Sequence, residues 1–424
     1  MTNINTHTLP TGTTLFGARA KAASKSLAIA STGTKNRFLA NYSERIKKAT
    51  NQILEANAKD SANAIAAGIS GAFLDRLTLN IKRVDQILEG LAKVAELPDP
   101  IGSLRESRTM PNGLQINKVG VPLGVVFFIY ESRPNVTVDA VALCVKSGNS
   151  VLLRGGAEAF ESNRILADLA CESLTDAGLS PDSVILVPPR PRELVDHLLA
   201  DSAHVDLVIP RGGKDLINRV VGGAKMPVIK HFTGNCHVYI ESSADPEMAI
   251  DIVVNAKCQR PGTCNAAESL LIDRALSSTI LPRLLEALDS KGVEIRGCQE
   301  SMAHFPKGKI ASESDFFTEY NELVISVRIV ADMEEAIECI AKYGSGHTEA
   351  IVTSSDEKAR EFTHRVDSSA VMVNASTRFN DGFELGLGAE IGISTDKFHA
   401  RGPCGLMELT STKYIVQGNG HVRQ

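Results

Sequence analysis

No apolar run in the sequence is long enough to span a membrane. The longest nearly uncharged stretch, residues 119–130, is shorter than the roughly 20 residues that a membrane helix needs, and it contains Pro122 and Gly124. It predicts a buried strand instead. Residues 1–14 lack a basic region followed by an apolar segment, so we expect no signal peptide and no membrane association.

Cysteine is scarce and shows no pairing pattern. Eight cysteines are scattered over 424 residues, and no two of them form a C-x-x-C pair. This spacing disfavours a disulfide framework and a cysteine zinc site, and it is typical of free thiols in a reducing cytoplasm. The ten histidines are equally scattered, and no two have metal-ligand spacing on one helix face. We therefore expect no bound metal.

An excess of charge of one sign is also missing. Lysine and arginine number 45 against 50 aspartate and glutamate residues, a formal net charge of −5 with no long run of either sign. A nucleic-acid-binding surface is therefore not indicated, and any anionic ligand must be met by local charges. The composition, 43% hydrophobic and 22% charged, is that of a globular chain, and the length predicts two or three domains.

The sequence does contain an alternation of apolar strands with helical segments. The first hundred residues are predicted to be helical, because apolar side chains recur at three- and four-residue spacing. Beyond them, short continuous apolar runs alternate with helical patterns, as in parallel sheets covered on both faces. A first series of strands is predicted at residues 125–130, 150–153, 184–187, 207–209 and 238–240, and a second at 269–272, 326–330, 350–353 and 371–374. The fold class is therefore α/β, with two doubly wound domains.

A hairpin is predicted ahead of the first strand series. Residues 104–110 and 114–119 flank Pro111-Asn112-Gly113, and Asn-Gly between two strand-like runs is the strongest short hairpin signal. A protruding two-stranded ribbon needs packing from elsewhere, for which another subunit is one source.

One cysteine lies in a segment suited to chemistry, RPGTCN at residues 260–265, just ahead of the second strand series. The Pro-Gly pair predicts a tight turn that presents Cys264 at a loop end. Lys257 and Arg260 would favour the thiolate, the nucleophilic form of cysteine. The alternative is a small buried hydrophobic side chain, as most free cysteines are.

A glycine pair with flanking cations follows the predicted strand at residues 207–209. Gly212 and Gly213 lead into a helix whose free N–H groups would bind phosphate, and Arg211 and Lys214 add positive charge. The spacing matches neither common nucleotide-binding glycine motif, so an ordinary strand-to-helix turn is the alternative.

Two further strand ends carry polar side chains. Arg154 lies at the carboxyl end of a predicted parallel strand, the edge where open α/β sheets bind ligands, and an unpaired surface arginine is the alternative. Asn135 follows another strand, and its amide could donate to a developing oxyanion or cap a helix. The polar loops 374–379 and 398–403 could hold a small anionic substrate, with solvation as the alternative.

Five stretches of the sequence together carry a resemblance that none carries alone. They are VPLGV and YESRPNVTVD within residues 121–139, GNSVLLRGG at 148–156, KHFTGNCH at 230–237, NAKCQRPGTCNA at 255–266 and TDKFHARGPCG at 395–405. In this order they resemble the aldehyde dehydrogenase superfamily, and within it the glutamate-5-phosphate reductase family. The resemblance covers most of the chain from residue 119 onward.

The resemblance implies an aldehyde dehydrogenase-like division of the chain. A cofactor-binding domain would comprise residues 1–102 and 121–233, and a catalytic domain residues 234–405. The hairpin resembles the family's small β oligomerisation element, here residues 103–120 and 406–424, paired with a strand near residues 414–416. A homo-oligomer is therefore expected.

The resemblance also implies roles for individual residues. By motif match, Cys264 corresponds to the family nucleophile and Asn135 to the oxyanion-hole amide. The implied cofactor-binding residues are Arg154, Gly155, Arg211, Gly212, Gly213 and Lys214, and the arginines favour NADPH through its 2′-phosphate. The implied substrate-binding residues are Arg133, Lys257 and Arg260 for the phosphate, and Arg378, His399 and Arg401 for the amino-acid end.

The implied activity is NADPH-dependent reduction of L-glutamate 5-phosphate to L-glutamate 5-semialdehyde plus phosphate, through a cysteine thioester, in proline biosynthesis. The glutamate 5-kinase that makes this substrate is a candidate partner. Hydrolytic aldehyde dehydrogenases carry a glutamate that activates water. Residues 231–234 stand in its place here, which favours phosphate over water as the group exchanged with the cysteine thioester. Two rivals stay open: a semialdehyde dehydrogenase that forms a free acid, and a nucleotide-binding scaffold without chemistry.

Overall fold

The structure, a computed structural model, describes residues 13–423. Most of the segment 1–14, where no signal peptide is predicted, lies outside the described residues. The chain forms two compact units: the first comprises residues up to 230 with 387–392 and 404–424, and the second comprises 231–386 with 393–403. No helix among residues 13–423 combines the length and apolar character that a membrane span requires.

The helices alternate with strands beyond the first hundred residues, as the sequence predicts. Those of the first unit are α1 (Thr13–Leu27), α2 (Thr32–Lys48), α3 (Thr50–Ala66), α4 (Gly71–Leu77), α5 (Ile81–Glu96), α6 (Pro134–Lys146), α7 (Phe160–Asp176), α8 (Glu193–Ala200) and α9 (Lys214–Gly223). Those of the second unit are α10 (Pro246–Cys258), α11 (Leu281–Ser290), α12 (Gln299–Ala303), α13 (Met333–Tyr343) and α14 (Asp356–Arg365).

Each predicted strand overlaps an observed one. The strands are β1 (Leu104–Thr109), β2 (Gln115–Pro122), β3 (Val125–Tyr130), β4 (Ser150–Arg154), β5 (Val184–Leu186), β6 (Leu207–Arg211), β7 (Cys236–Ile240), β8 (Ala267–Asp273), β9 (Glu294–Gly297), β10 (Lys309–Ile310), β11 (Val324–Val330), β12 (Thr348–Val352), β13 (Ala370–Val373), β14 (Gly392–Ser394), β15 (Gly402–Cys404) and β16 (Thr410–Gln417). The short strands β9, β10, β14 and β15 were not predicted from the sequence.

The first unit is built on a parallel sheet in the order β5-β4-β3-β6. Every residue of β3 is buried, because this strand pairs on both sides and its faces are covered. Ile129 pairs with Arg154, and Tyr130 pairs with Arg211. The carboxyl ends of β3, β4 and β6 therefore meet at one edge, which carries Arg154 and Arg211.

The predicted hairpin is confirmed as an antiparallel ribbon of β1 and β2. Gly113 has φ +90°, a left-handed conformation that favours glycine in the tight turn. The predicted third strand is also confirmed: β16 pairs with β2, with Tyr414 opposite Lys118 and Val416 opposite Ile116. The order is β1-β2-β16, so β16 is an edge strand.

The second unit is built on a parallel sheet in the order β10-β9-β11-β8-β7-β12-β13. The prediction that residues 238–240 belong to the first strand series is wrong, because β7 pairs with β8 and β12. The core between this sheet and its helices contains Val238, Leu270, Leu284 and Ile325, all buried. The neighbours β8, β7 and β12 share one direction, so their amino ends meet at one edge.

Candidate active site

Cys264 lies on the loop that joins α10 to β8. Asp245 caps the start of α10 by accepting from the Met248 N–H, and the helix ends at Cys258, six positions before the cysteine. Within the loop, the Thr263 hydroxyl lies 2.8 Å from the Arg260 carbonyl oxygen and 3.0 Å from the Asn265 side-chain oxygen, and its one hydrogen is shared between them. These bonds hold a turn in which Cys264 is half-buried.

The backbone of Cys264 is in close contact with Gly234. A methyl group at position 234 would lie 1.8 Å from the Cys264 carbonyl oxygen, so only glycine fits there. The buried Cys236 thiol donates to the same oxygen over 3.2 Å. Burial raises the pKa of Cys236 well above its usual range, which keeps this thiol protonated as a donor. Contacts with β7 and with the segment before it therefore position the loop.

Two imidazoles lie beside the Cys264 sulfur. One ligand atom each of Cys264, His231 and His347 lies within 4.8 Å of the other two. The His231 Nδ1 lies 3.1 Å from the Ile393 carbonyl oxygen, and the His347 Nδ1 lies 2.7 Å from the Thr348 hydroxyl. An imidazole within reach of a thiol can accept the thiol proton, and the resulting thiolate is the nucleophile.

Neither histidine was predicted from the sequence as a functional residue. They come from loops before β7 and β12, so neither helix-face spacing nor the carboxyl ends of strands pointed to them. The available signal was a histidine shortly before an apolar strand run, which holds for His231 before residues 236–240 and for His347 before residues 348–352.

Of the predicted cations, Arg260 belongs to this loop and Arg378 lies beside it. The Arg378 Nε donates to the Gln259 side-chain oxygen over 2.9 Å, and another guanidinium nitrogen donates to the Asn265 side-chain oxygen. Burial lowers the pKa of Arg378, and the nearby positive charge of Arg260 lowers it further. Two like charges held near each other at a loop are suited to an anion such as phosphate.

Lys257 is not an accessible cation beside these two arginines. Its ammonium is completely buried and lies 2.5 Å from the Glu268 carboxylate, which is also completely buried. Burial lowers the pKa of Lys257 and raises the pKa of Glu268 to about 7. The structure therefore places Lys257 in a buried pair, and the expectation of a phosphate ligand there is corrected.

The last two predicted substrate residues lie on the loop that precedes β15. The Arg401 guanidinium donates to the Asp367 carboxylate over 2.8 Å and to the Asp367 carbonyl over 3.2 Å. The exposed His399 ring contacts the Phe398 ring edge-on, with 5.2 Å between centroids. Arg401 therefore already has a carboxylate partner.

In the first unit, Asn135 lies in the first turn of α6, after Arg133 and Pro134. Arg133 is half-buried at the N-cap position, and no side chain caps the helix there. The Asn135 amide donates to the Asp139 carboxylate over 3.2 Å. Burial raises the pKa of Asp139 to about 6, and the bond from Asn135 opposes that rise. A carboxamide has two N–H donors, so this contact orients the group and spends one of them.

Arg154 is the last residue of β4, and Gly155 follows it at the same edge of the sheet. A guanidinium nitrogen of Arg154 donates to the Pro189 carbonyl over 2.6 Å, and burial lowers the pKa of Arg154. Its Nε is buried with no hydrogen-bond partner among the described residues. A methyl group at Gly155 would lie 2.1 Å from the Asn163 amide, so close packing accounts for this glycine.

The predicted phosphate turn lies between β6 and α9. Gly212, Gly213 and Lys214 are exposed, as a ligand site requires. The Gly213 N–H, however, donates to the Glu131 carboxylate over 3.1 Å. An anion supplied by the chain itself therefore already occupies part of this helix start.

Comparison with known proteins identifies the family. The model of the aldehyde dehydrogenase family matches residues 4–297. The chain belongs to the aldehyde dehydrogenase family. It is 52% identical to the gamma-glutamyl phosphate reductase of Carboxydothermus hydrogenoformans, over 96% of this chain and 98% of that one. It is 50% identical to the gamma-glutamyl phosphate reductase of Moorella thermoacetica, over 96% of this chain and 98% of that one.

Solved structures of the aldehyde dehydrogenase family share the fold. The crystal structure of gamma-glutamyl phosphate reductase from Thermotoga maritima matches with a TM-score of 0.95 at 42% identity, over 97% of this chain and 100% of that one. An acetylating aldehyde dehydrogenase from Geobacillus thermoglucosidasius matches with a TM-score of 0.69 at 15% identity, over 98% of each chain. The predicted fold class and family resemblance are confirmed.

Proposed function

We propose that this chain reduces L-glutamate 5-phosphate with NADPH, giving L-glutamate 5-semialdehyde and inorganic phosphate, in proline biosynthesis. The observation that carries the proposal is the Cys264 loop, where a half-buried thiol has two imidazoles within 4.8 Å and two guanidinium groups nearby. The relatives named gamma-glutamyl phosphate reductase, at 48–52% identity over nearly the whole chain, support the choice of substrate.

The first step is attack by Cys264. A neighbouring imidazole takes the thiol proton, and the thiolate forms an S–C bond to the acyl carbon of the substrate. The bond between the acyl carbon and the bridging phosphate oxygen then breaks, and phosphate leaves with the electron pair. Arg260 and Arg378 stabilise the negative charge on the leaving phosphate through charge-assisted hydrogen bonds.

The second step returns the enzyme to its starting state. When bound, NADPH supplies the hydride that reduces the thioester. By motif match, the Asn135 amide and the Cys264 backbone N–H stabilise the oxyanion in both steps. The C–S bond then breaks, the aldehyde leaves, and Cys264 recovers its proton from the imidazolium.

The first unit supplies groups that fit an anionic nucleotide. The Arg154 Nε is buried with no partner among residues 13–423, and Lys214 is exposed at the start of α9. Together with Arg211, these cations lie at the carboxyl edge of the sheet, where open α/β sheets bind nucleotides. The number of these cations supports binding of NADPH, through its 2′-phosphate, over binding of NADH.

The experiment that tests the proposal is the reverse assay, in which glutamate 5-semialdehyde reduces NADP with and without inorganic phosphate. We expect turnover only with phosphate, because the acyl-enzyme lacks the glutamate that activates water. Turnover without phosphate, yielding glutamate, would overturn the proposal and favour the free-acid dehydrogenase.

The nucleophile is tested with Cys264→Ala, with Cys171→Ala as the matched control. Cys171 is half-buried in the first unit, where its thiol lies 3.4 Å from the Val184 carbonyl oxygen. We expect Cys264→Ala alone to lose the reverse activity, and full activity in that variant would remove the nucleophile. Alkylation of Cys264 by iodoacetamide that neither substrate nor NADPH slows would favour the scaffold without chemistry.

A further inference from the structure

The three groups that meet at the Cys264 loop are also a set of metal ligands. We call Cys264, His231 and His347 the Cys-His-His cluster. Its ligand atoms lie within 4.8 Å of one another, although the residues come from three separate loops at the amino edge of the second sheet. The proposed reaction uses these atoms for proton transfer and attack, and it does not use their ability to bind a cation together.

The spacing of the cluster is close to that of a tetrahedral zinc site. With bond lengths of about 2.3 Å to sulfur and about 2.0 Å to nitrogen, zinc holds such ligand atoms about 3.3–3.6 Å apart. The cluster must therefore contract by at most about 1.5 Å from its limit of 4.8 Å. Cys264 and His231 are half-buried, so rotation of their side chains supplies that movement.

Both imidazoles have an outer contact at Nδ1, and that of His231 is a backbone carbonyl, a common partner of metal-binding histidines. The Ile393 carbonyl can only accept, so the His231 Nδ1 at 3.1 Å carries a hydrogen and the Nε2 keeps a lone pair. The His347 Nδ1 contacts the Thr348 hydroxyl at 2.7 Å, and that hydroxyl accepts from the Asn380 amide at 2.7 Å. These contacts favour one orientation of each ring.

The donor set selects the metal. One thiolate and two imidazoles suit Zn²⁺, whereas Mg²⁺ and Ca²⁺ prefer oxygen ligands. Only the thiolate brings a negative charge, and the guanidinium groups of Arg260 and Arg378 lie beside the loop. This positive surrounding lowers the affinity, so the site suits a cation that binds and dissociates.

We infer that the Cys-His-His cluster binds Zn²⁺ reversibly and that the bound ion blocks the thiolate. The binding stands on the geometry of the cluster alone, and the effect on turnover rests on the proposed function. Three protein ligands leave the fourth tetrahedral position to water. Zinc would then inhibit the enzyme in competition with the acyl phosphate, and a chelator would restore activity.

The experiment is a titration of the chelator-treated enzyme with Co²⁺, which takes the place of Zn²⁺ and gives a thiolate-to-metal charge-transfer band. We expect one equivalent to bind and Zn²⁺ to displace it. Cys264→Ser should lose the band. His231→Gln should weaken binding by at least about 100-fold, because even loss of an outer partner costs about 10- to 100-fold.

Matched controls and a second readout complete the test. Cys171→Ser and His364→Ala, an exposed histidine on α14, should bind Co²⁺ like the wild type. Zn²⁺ should also slow alkylation of Cys264 by iodoacetamide, and chelator should reverse this. His347→Asn changes a buried residue, so it is compared only if its circular dichroism spectrum matches the wild type, and His231→Gln decides otherwise.

A band that survives Cys264→Ser, or wild-type affinity in His231→Gln, would overturn the inference. The absence of any band in the wild type would do the same. If the band forms as expected while the enzyme has no phosphate-dependent activity, the metal site stands and the proposed function fails.

Discussion

At the scale of single residues, Asn135 is bound to a carboxylate and is also the proposed oxyanion donor. Its amide donates to Asp139 over 3.2 Å, and no side chain caps the start of α6. The first turn of α6 thus presents one oriented amide beside one buried carboxyl.

The role of Asn135 is tested with Asn135→Ala. Loss of one oxyanion donor typically costs about 100- to 1000-fold in kcat, and we expect a loss in that range with little change in KM. Steady-state kinetics and urea unfolding measure the two effects separately, and Asn51→Ala on the exposed face of α3 is the control. A loss of stability with kcat unchanged would restrict Asn135 to its contact with Asp139.

The buried Asp139 carboxyl predicts that the stability of the protein depends on pH. Burial raises the pKa of this carboxyl from 3.8 to about 6. Its stabilising contribution to the free energy of unfolding is therefore complete below about pH 4 and is lost as the pH rises through about 6. Asp139→Asn removes this dependence, so the variant should gain stability relative to the wild type between about pH 4 and pH 7.

Urea unfolding across this pH range measures the gain, with Asp251→Asn at an exposed site of α10 as the control. Parallel stability curves for the wild type and Asp139→Asn would contradict the assignment.

At the scale of elements, the Cys264 loop depends on a contact with the segment before β7. A methyl group at Gly234 would lie 1.8 Å from the Cys264 carbonyl oxygen, whereas one at Gly262, in the loop itself, would come no closer than 3.6 Å to its nearest neighbour. The two glycines are therefore a matched pair.

We expect Gly234→Ala to displace the cysteine and to lower kcat/KM by about 100-fold, since a shift of about 1 Å in a reacting group has that effect. Gly262→Ala should stay close to the wild type. Circular dichroism checks that both variants fold, and equal activity of the two would show that the close contact does not position Cys264.

The turn between β6 and α9 bears on cofactor choice. A charge-assisted hydrogen bond is worth about 1.5–3 kcal/mol, so loss of the Lys214 ammonium should raise the KM for NADPH by about 10- to 100-fold. The KM for NADH should change less, because NADH lacks the 2′-phosphate. Initial rates of Lys214→Ala and of the exposed control Lys225→Ala test this, and equal effects on the two cofactors would contradict it.

At the scale of the whole molecule, β16 is an edge strand with exposed apolar side chains. Tyr414, Ile415 and Val416 are 57%, 38% and 56% exposed. A free strand edge with an apolar surface favours pairing with another chain. This supports the predicted role of the ribbon in a homo-oligomer.

The ribbon is tested with the double variant Ile415→Lys and Val416→Lys. We expect it to be monomeric by light scattering, because added charge opposes burial of the strand. Asn51→Lys with Gln52→Lys adds the same charge at exposed sites of α3 and should keep the wild-type mass. An unchanged mass for the first variant would place the interface elsewhere.

The strands and the cysteine could be predicted because their signals are local. Continuous apolar runs mark β3 and β8, Asn112-Gly113 marks the ribbon turn, and a Pro-Gly pair marks the Cys264 loop. The partners of a strand are distant in sequence, which is why β7 was grouped with the wrong sheet. For the same reason, the meeting of His231 and His347 with Cys264 depends on the strand order β8-β7-β12, which no local pattern gives.

The carboxylate of Glu131 on the Gly213 N–H gives the proposed nucleotide site a tethered counter-ion. An incoming phosphate must exchange with this carboxylate instead of with water. The net gain from that N–H is then the difference between two charge-assisted hydrogen bonds, which is smaller than either. Affinity at this turn consequently depends on Arg211 and Lys214, and the backbone serves mainly to exclude ligands that carry no strong negative charge.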